Sequence, residues 1–580
     1  MTSKKMCVHF AVYADHKNKT VDVIGWGGCI VNSYKTIIKK QEQHLAIGSD
    51  IDNLIVYCYN NNVGRIYVHD DSYELSLILS WLLKNKYNRL NTEEQVRRSK
   101  IASTYSLYEE AAGSCYGIYI KYAITKPDGN VDYKLLQVWS SRLKLRASVD
   151  NIRIGWGLTD IQPLKNMMMQ LDDNKINDED FDYLLSYSIV VATALNDVIK
   201  AGCTERTASS DAKKFWLKTL KDGDIDINYY MPKLPRIVED DIRNAYRGGI
   251  TWLKTSMGSK KLGLGTSWDM NSMYPAICCQ CKLPYGPAIK FDGCGEENAR
   301  DMLYIQCMYV EAQLKNGHVP CITTKRSSET GITIDSSLDD YINSTLWLTN
   351  YDVELLFSQY DVKTVKYFGG YKFNSTDILF KNYMEHWYNV KSSSKFGRKE
   401  HAKIMLNALT GGFGIKRSHT SVNINYDING NINKTRGDVS YNDKLFNYLP
   451  VIIFITALGR YNIVLDAQKH YDRLIYIDTD SIHLLEDDVP DVDVGDDMGQ
   501  YKLEAKFYDA IYIKQKTYIH REIASDGSFH DIATMAGAVS EVRDAFNLDN
   551  FKIGTSVPGD SRSVSYRGGN VRVARNYTIS

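Results

Sequence analysis

The chain has no excess of charge of either sign: 70 lysines and arginines balance 70 aspartates and glutamates over 580 residues. That balance excludes a protein that coats nucleic acid by bulk electrostatics, since such binding grows with the number of phosphates neutralised. It leaves room for local basic grooves. No apolar run approaches the roughly 18 residues of a membrane span, and the opening MTSKKMCVHF lacks the apolar stretch of a signal peptide. A cytoplasmic protein without membrane contact is expected. Prolines are few, and no internal repeat or low-complexity tract occurs; 44% hydrophobic and 24% charged residues are typical of a folded, soluble chain. Its length is too great for one core, so several domains are expected. The 11 cysteines fit reduced thiols. The CCQC cluster at 278–281 has no second CxxC or paired histidines at zinc spacing, so thiols packed beside a core helix are expected there.

Tyrosine, by contrast, is abundant, with 41 copies. Its flat face and polar tip suit stacking on bases, although in a core it simply packs. Residues 1 to about 207 mix strand-like runs (VDVIGWGGCIV) with helical ones (SLILSWLLKN), which predicts an α/β domain. A connection over 225–245 leads into a helix. The polar stretch 418–446 carries Asn-Gly at 429–430 between β-rich arms, the pattern of a projecting hairpin. The tail SVSYRGGNVRVARNYTIS is basic and strand-like.

Two aspartates, Asp478 and Asp480, interrupt the strand-like LIYIDTDSIHL. Desolvating such charges is expensive unless a cation matches them. Asp-Thr-Asp in isolation is usually only a turn. A third acid, Asp269, ends a strand-like run in SWDMNSMYPA. Converging strand-end carboxylates can hold two hard divalent cations that keep open positions for phosphate oxygens. A third stretch, NVKSSSKFGRKEHAKIMLNALTGGFG, carries Lys391, Lys395, Lys399 and Lys403 at four-residue spacing. As one helix these would form a drifting stripe of like charge, which costs stability unless an anion neutralises it. A solvated lysine face is the plain reading; the passage into IMLNAL and GGFG suggests a helix presented to a polyphosphate. Together the three elements describe nucleotidyl transfer, a reaction governed by positioning and charge neutralisation.

These segments resemble the protein-primed family B DNA polymerases of bacteriophages. SWDMNSMYPA is similar to that family's motif A, KIMLNALTGGFG to motif B and YIDTDS to motif C. YRGG at 246–249 resembles the YxGG motif and KQKTY at 514–518 the KxY motif, all in the family's order. The resemblance implies an α/β multidomain fold: an N-terminal exonuclease-like (ribonuclease H-like) domain plus a right-hand polymerase domain of palm, fingers and thumb with two insertions. The implied divisions are 1–207 exonuclease-like, 208–280 and 447–545 palm, 281–378 first insertion beside a priming protein, 379–414 fingers, 415–446 second insertion closing around DNA, and 546–580 thumb. It further implies Asp269 and Asp480 as principal metal ligands with Asp478 beside them, and the Met270 carbonyl as a further ligand. Two Mg2+ ions are implied, with Mn2+ able to replace them. Tyr274 would lie under the incoming sugar and exclude a 2′-hydroxyl, and Lys391, Lys399, Lys403 and Asn407 would hold the nucleotide. Tyr246, Arg247, Gly248, Gly249, Lys516 and Tyr518 would meet DNA. The implied partners are primer-template DNA, deoxynucleoside triphosphates and a terminal protein acting as primer, with the enzyme a monomer in the cytoplasm of a host cell if viral.

Two departures stand out. Motif B has Asn407, Ala408, Leu409, Thr410 and Gly411 where the family has Asn-Ser-x-Tyr-Gly, so the tyrosine is missing. The editing motifs, aligned by VDVIGWG, fall on Ala11, Val12 and Tyr13, on Glu74, and on Tyr187, leaving a single carboxylate. Asp15, Asp70 and Asp71 are the nearby acids that could replace the missing ones. A degraded exonuclease is expected, kept as a wall of the template channel. Rival readings are a primer-independent relative, a catalytically silent DNA-binding scaffold, and a two-metal nuclease with no use for the lysines or Tyr274.

Overall fold

A computed structural model describes residues 3–31, 44–109, 115–165, 169–324, 338, 340–426, 432–442, 446–524 and 526–580. The N-terminal part is built on a nine-stranded mixed sheet. Its central strand, Lys4–Asp15, pairs antiparallel with Thr20–Ile30 and parallel with Val63–Val68. Strand alternation sends Met6, Val8, Phe10 and Val12 into a core shared with the helices Ile51–Asn60 and Asp71–Lys84. Cys7 and His9 face the other way, toward the helix Asp178–Lys200. That helix begins with a capping box from Asn177 and Asp180, which explains its sharp start after a polar loop.

The second sheet has five antiparallel strands in the order Thr251–Leu253, Leu474–Asp478, Ser481–Leu485, Gly265–Met270 and Tyr501–Phe507. The helix Leu449–Lys469 runs through the adjoining core. It corrects the expectation that no segment approaches a membrane span, because its length and apolar composition suffice for one. Yet 78% of the relevant window is buried inside the protein, so it is a core helix, hydrophobic on all sides because protein surrounds it. Cys278 of the CCQC cluster is buried in the short helix Met273–Gln280 beside it, as a packed thiol.

A separate four-stranded antiparallel sheet is formed by Leu283–Phe291, Tyr360–Thr376, Leu303–Leu314 and Tyr341–Thr349, all within the range expected for the first insertion. Ser418–Tyr426 and Ile432–Tyr441 pair as a separate two-stranded ribbon, and the Asn429-Gly430 turn lies outside the described residues. The lysine-bearing stretch is not the single helix expected from its four-residue spacing. It divides into Lys381–Ser393 and Phe396–Gly412, with Ser394 and Lys395 extended and Phe396 at φ 51°. The reason is tertiary: Gly397 lies against the Trp156 indole so closely that a Cβ would come within 2.2 Å of Nε1. The chain must break to seat the second helix on the N-terminal domain. The C-terminal residues form a long hairpin of Ser556–Tyr566 and Gly569–Thr578.

Candidate active site

The two central strands of the five-stranded sheet bring the acids together. Asp269 pairs across with Ser481, the residue after Asp480, and the Met270 N–H donates to the Asp480 carbonyl at 2.8 Å. Thr479 takes a left-handed conformation (φ 64°) so that the turn can close, and its N–H donates to the Ile250 carbonyl at 2.7 Å. Gly249 packs directly on this turn: a Cβ there would lie 2.6 Å from Thr479 Cγ2. The YRGG loop and the Asp-Thr-Asp turn are thus one unit, and glycine is required where they touch.

Burial, reinforced by the negative charges of Asp480 and Glu504, pushes the Asp269 carboxyl up to about 7; Lys403 and Lys391 oppose the shift. Burial likewise lifts Asp480 to about 6, helped by Asp478 and Glu504 and resisted by the hydrogen bond from its own backbone. Carboxylates held this close to neutrality are destabilised as anions and attract a cation or a proton. Asp478 differs: its oxygens accept from Lys516 Nζ at 2.7 Å, Tyr476 Oη at 3.1 Å and Thr479 Oγ1 at 3.4 Å. Glu504, which the sequence reading passed over, lies on the neighbouring strand and accepts from Ser267 Oγ at 3.2 Å. Its only sequence signal was an acid in the alternating YKLEAKF, too common a pattern to single out. Among the described residues no three acidic, histidine or cysteine side chains converge closely enough to enclose a metal ion. Two partly buried carboxylates that offer only oxygen suit hard divalent cations whose remaining ligands come from water and phosphate.

Opposite the acids stand the two lysine-bearing helices. Lys391 is half-buried, donates to Ser272 Oγ at 2.9 Å, and is held below the usual lysine range by burial and by Lys403 and Lys399. Lys399, Lys403 and Asn407 are exposed along the second helix at four-residue spacing. Lys395 sits at the break between the helices and is exposed there. Thr410 is buried and its hydroxyl donates to the Asn407 carbonyl at 3.2 Å. The Tyr274 ring packs on Gly459, where a Cβ would come within 3.1 Å of Cε1, and burial raises its hydroxyl to about 12.

The residues expected to meet DNA are placed unequally. Tyr246 is half-buried against Gly414, Gly248 is exposed with open space around it, and Lys516 (φ 53°) is about half exposed. Arg247 points inward: its guanidinium donates to the Trp347 carbonyl at 2.7 Å and is buried. Arg460, also missed, is buried with Asp352 in a paired contact at 2.8 and 2.9 Å, and its Nη1 donates to the carbonyls of Arg247 and Gly248. Tyr518 is buried, stacked on Tyr512 with ring centroids 4.9 Å apart.

The expected editing positions are corrected in one respect. Ala11 is buried and Tyr13 half-buried on the strand Lys4–Asp15, but the residue that meets Glu74 and Tyr187 is His9. Its Nδ1 lies 2.7 Å from Glu74 Oε1 with both side chains fully buried, and its ring stacks on Tyr187 at 3.6 Å between centroids. Glu74 Oε2 accepts from the His69 and Asp70 N–H groups, each at 2.9 Å. His9 lies two residues before Ala11 on the same strand, and a period of two keeps both side chains on one face. Asp15 caps the turn at the strand's far end through Lys17 and Asn18, and Asp71 accepts from Ser140 Oγ at 2.6 Å.

The model of the family described as DNA polymerase type B, organellar and viral, matches residues 160–494. The DNA polymerase of Bacillus phage phi29 is 31% identical over 582 residues, covering 95% of this chain and 96% of that protein. That of Bacillus phage Nf is 34% identical over 431 residues, 70% of this chain and 73% of the relative. Phi29 DNA polymerase complexed with primer-template DNA superposes with a TM-score of 0.85 at 28% identity, covering 100% of both chains. Its complex with primer-template DNA and incoming nucleotides gives 0.84, again at 28% identity over 100% of both.

Proposed function

The chain belongs to the organellar and viral type B DNA polymerases and is a DNA-directed DNA polymerase, and on that premise we propose that it extends a 3′-hydroxyl by a two-metal mechanism. The observation that carries the reading is the adjacency of Asp269 and Asp480, both shifted toward neutrality, opposite Lys391, Lys399 and Lys403. Asp269 and Asp480 would hold two divalent cations, Mg2+ by the hardness of the ligands and Mn2+ as a substitute, with the Met270 carbonyl as a further donor. When bound, such ions lower the pKa of the primer hydroxyl and neutralise charge on the transferring and leaving phosphates. The protein's own part is positioning. Lys391, Lys399 and Lys403 meet the triphosphate, Asn407 extends that face, and Tyr274 lies beneath the sugar. Asp478 is a supporting member, because Lys516 and Tyr476 already occupy its oxygens.

DNA contact falls to Tyr246, to the backbone of Gly248 and Gly249, and to Lys516, whose ammonium can exchange Asp478 for a phosphate. Arg247 shapes the YRGG loop from inside rather than contacting the nucleic acid through its charge, and Tyr518 supports Lys516 from the buried aromatic cluster. Residues 281–378 are the surface for a terminal protein primer, and the ribbon within 415–446 closes around DNA to support strand displacement. The enzyme works as a monomer in the cytoplasm of a host cell. Editing is absent or weak in this reading, which is supported by Glu74 being held by His9 and two backbone amides, with no cluster of acids around it that encloses a metal among the described residues.

Primer extension on a long single-stranded circle tests polymerisation and displacement together. Products longer than the circle are expected from the wild type and none from Asp480→Asn; unchanged extension by that variant would refute the metal assignment and favour the scaffold reading. Adding or omitting a terminal protein separates protein priming from the primer-independent alternative. Labelled single-stranded DNA with Mg2+ and no nucleotides should stay intact, and 3′–5′ degradation abolished by Glu74→Ala would restore an editing site.

A further inference from the structure

The distal turn of the C-terminal hairpin is built into the exonuclease-like domain. Val571 is fully buried and Tyr566 nearly so, in the same core as Phe10, Tyr73 and Leu77. Backbone hydrogen bonds run from the Val21 N–H to the Arg567 carbonyl and from the Arg567 N–H to the Lys19 carbonyl, each at 2.9 Å. Gly568 (φ 109°) lies so close that a Cβ would reach within 2.0 Å of the Val21 carbonyl oxygen. On the opposite side of the turn, the Asn570 N–H donates to Ser76 Oγ at 2.8 Å and its amide to the Ser72 carbonyl at 3.1 Å. Arg572 completes the contact: Nη2 donates to Asp70 Oδ2 at 3.3 Å, and the guanidinium lies 4.3 Å from the centre of the Tyr73 ring.

Asp70 is the carboxylate next to Glu74, at the N-terminal end of the helix Asp71–Lys84. Its side chain is only 6% exposed, and it faces Arg572 at 23%. The acid that could have rebuilt a metal site beside Glu74 is therefore engaged by a cation from the other end of the chain.

We infer that the exonuclease-like domain has a second function, as the anchor of the C-terminal hairpin, with Arg572 and Asp70 as the positioning pair that locks it. With its distal turn fixed here and its base packed through Val557 and Ile579 on Ile519 and Phe551, the hairpin cannot swing away from a bound duplex between successive additions. The role explains why a domain without an editing centre keeps a folded face at that place. The inference rests on the polymerase reading only for its DNA readout; the anchoring itself is read without DNA.

The test uses the full chain with Arg572→Ala, with Asp70→Asn, and with the charge exchange Asp70→Arg/Arg572→Asp. Hydrogen exchange of the 566–572 amides should accelerate in each single variant and return toward wild type in the exchange variant. In a single binding event with a DNA trap, products should shorten about three- to tenfold in the single variants, the scale of one part-buried ion pair. Addition of one nucleotide should stay within about twofold of wild type, since neither residue touches the reacting groups. Full-length products from both single variants overturn the inference, and so does unchanged amide exchange. If the wild type itself fails to extend a primer, the polymerase reading falls while the exchange measurement still decides the anchor.

Discussion

At the scale of single residues the site is governed by carboxylates held in a half-buried place before any cation arrives. Asp269 and Asp480 have folded-state values of about 7 and about 6, well above those of an unfolded chain. The native state therefore binds more protons than the unfolded one between about pH 4 and pH 7, and metal-free stability falls as pH rises through that window. Asp480→Asn should accordingly stabilise the metal-free protein at pH 8, by on the order of 1 kcal/mol after solvent screening, as read by denaturant unfolding. The same variant should lose roughly a thousandfold or more in extension rate, the equivalent of about 4 kcal/mol of transition-state stabilisation. Because protons compete with metal at both acids, the Mg2+ concentration for half-maximal activity should rise as pH drops from 8 to 6; a flat dependence would argue that these acids do not bind the ions. Lys391→Ala should lower kcat/KM for nucleotide by about ten- to a hundredfold, as loss of one charge-assisted phosphate contact, without changing the affinity for duplex DNA.

At the scale of elements the decisive device is the link between the four-stranded sheet domain and the YRGG loop. Asp352 at the start of the helix Asn350–Gln359 grips Arg460 of the long core helix, and Arg460 holds the loop carbonyls of Arg247 and Gly248. Asp352→Asn leaves a buried guanidinium without its counter-charge, a change that costs about 3–5 kcal/mol. Lower thermal stability and weaker template binding should appear together in that variant. Removal of the ribbon between Ser418 and Tyr441 should spare extension on single-stranded template and abolish displacement of a downstream strand. The broken helix belongs to this scale as well. A repeat of lysines every four residues looks like one stripe in sequence, but two antiparallel helices place Lys391 across from Lys399 and Lys403. The three cations then face one another across two helices instead of lining a single face.

At the scale of the whole molecule, the proposed synthetic site brings its acids together, while in the N-terminal domain Glu74 is enclosed by His9 and lies beside Tyr187. There His9 Nδ1 lies 2.7 Å from Glu74 Oε1, so that carboxylate oxygen already has a buried side-chain partner. Tyr187 stacks on that imidazole and fills the remaining space. The fidelity of copying should therefore depend on nucleotide selection alone, and the rate of misinsertion should be unchanged by Glu74→Ala. The domain contributes instead through its surfaces, seating the second lysine helix at Trp156 and the C-terminal hairpin at Asp70.

The sequence by itself determined the family and which acids and lysines are candidates for its chemistry. Asp269, Asp478, Asp480 and the lysines were legible because their residue types and order are fixed by what phosphoryl transfer requires, whatever surrounds them. It also determined that Ala11, Tyr13 and Tyr187 offer no carboxylate, whatever the fold. What only the tertiary structure decided were roles set by partners distant in the chain. Asp478 is tied up by Lys516, Arg247 is turned inward by the Trp347 carbonyl, and Glu504 joins the acidic cluster from a neighbouring strand. His9 replaced Ala11 and Tyr13 as the residue at the editing cluster for the same reason. Alternation along a strand identifies a face, while the position along that face is fixed by which helix packs against it.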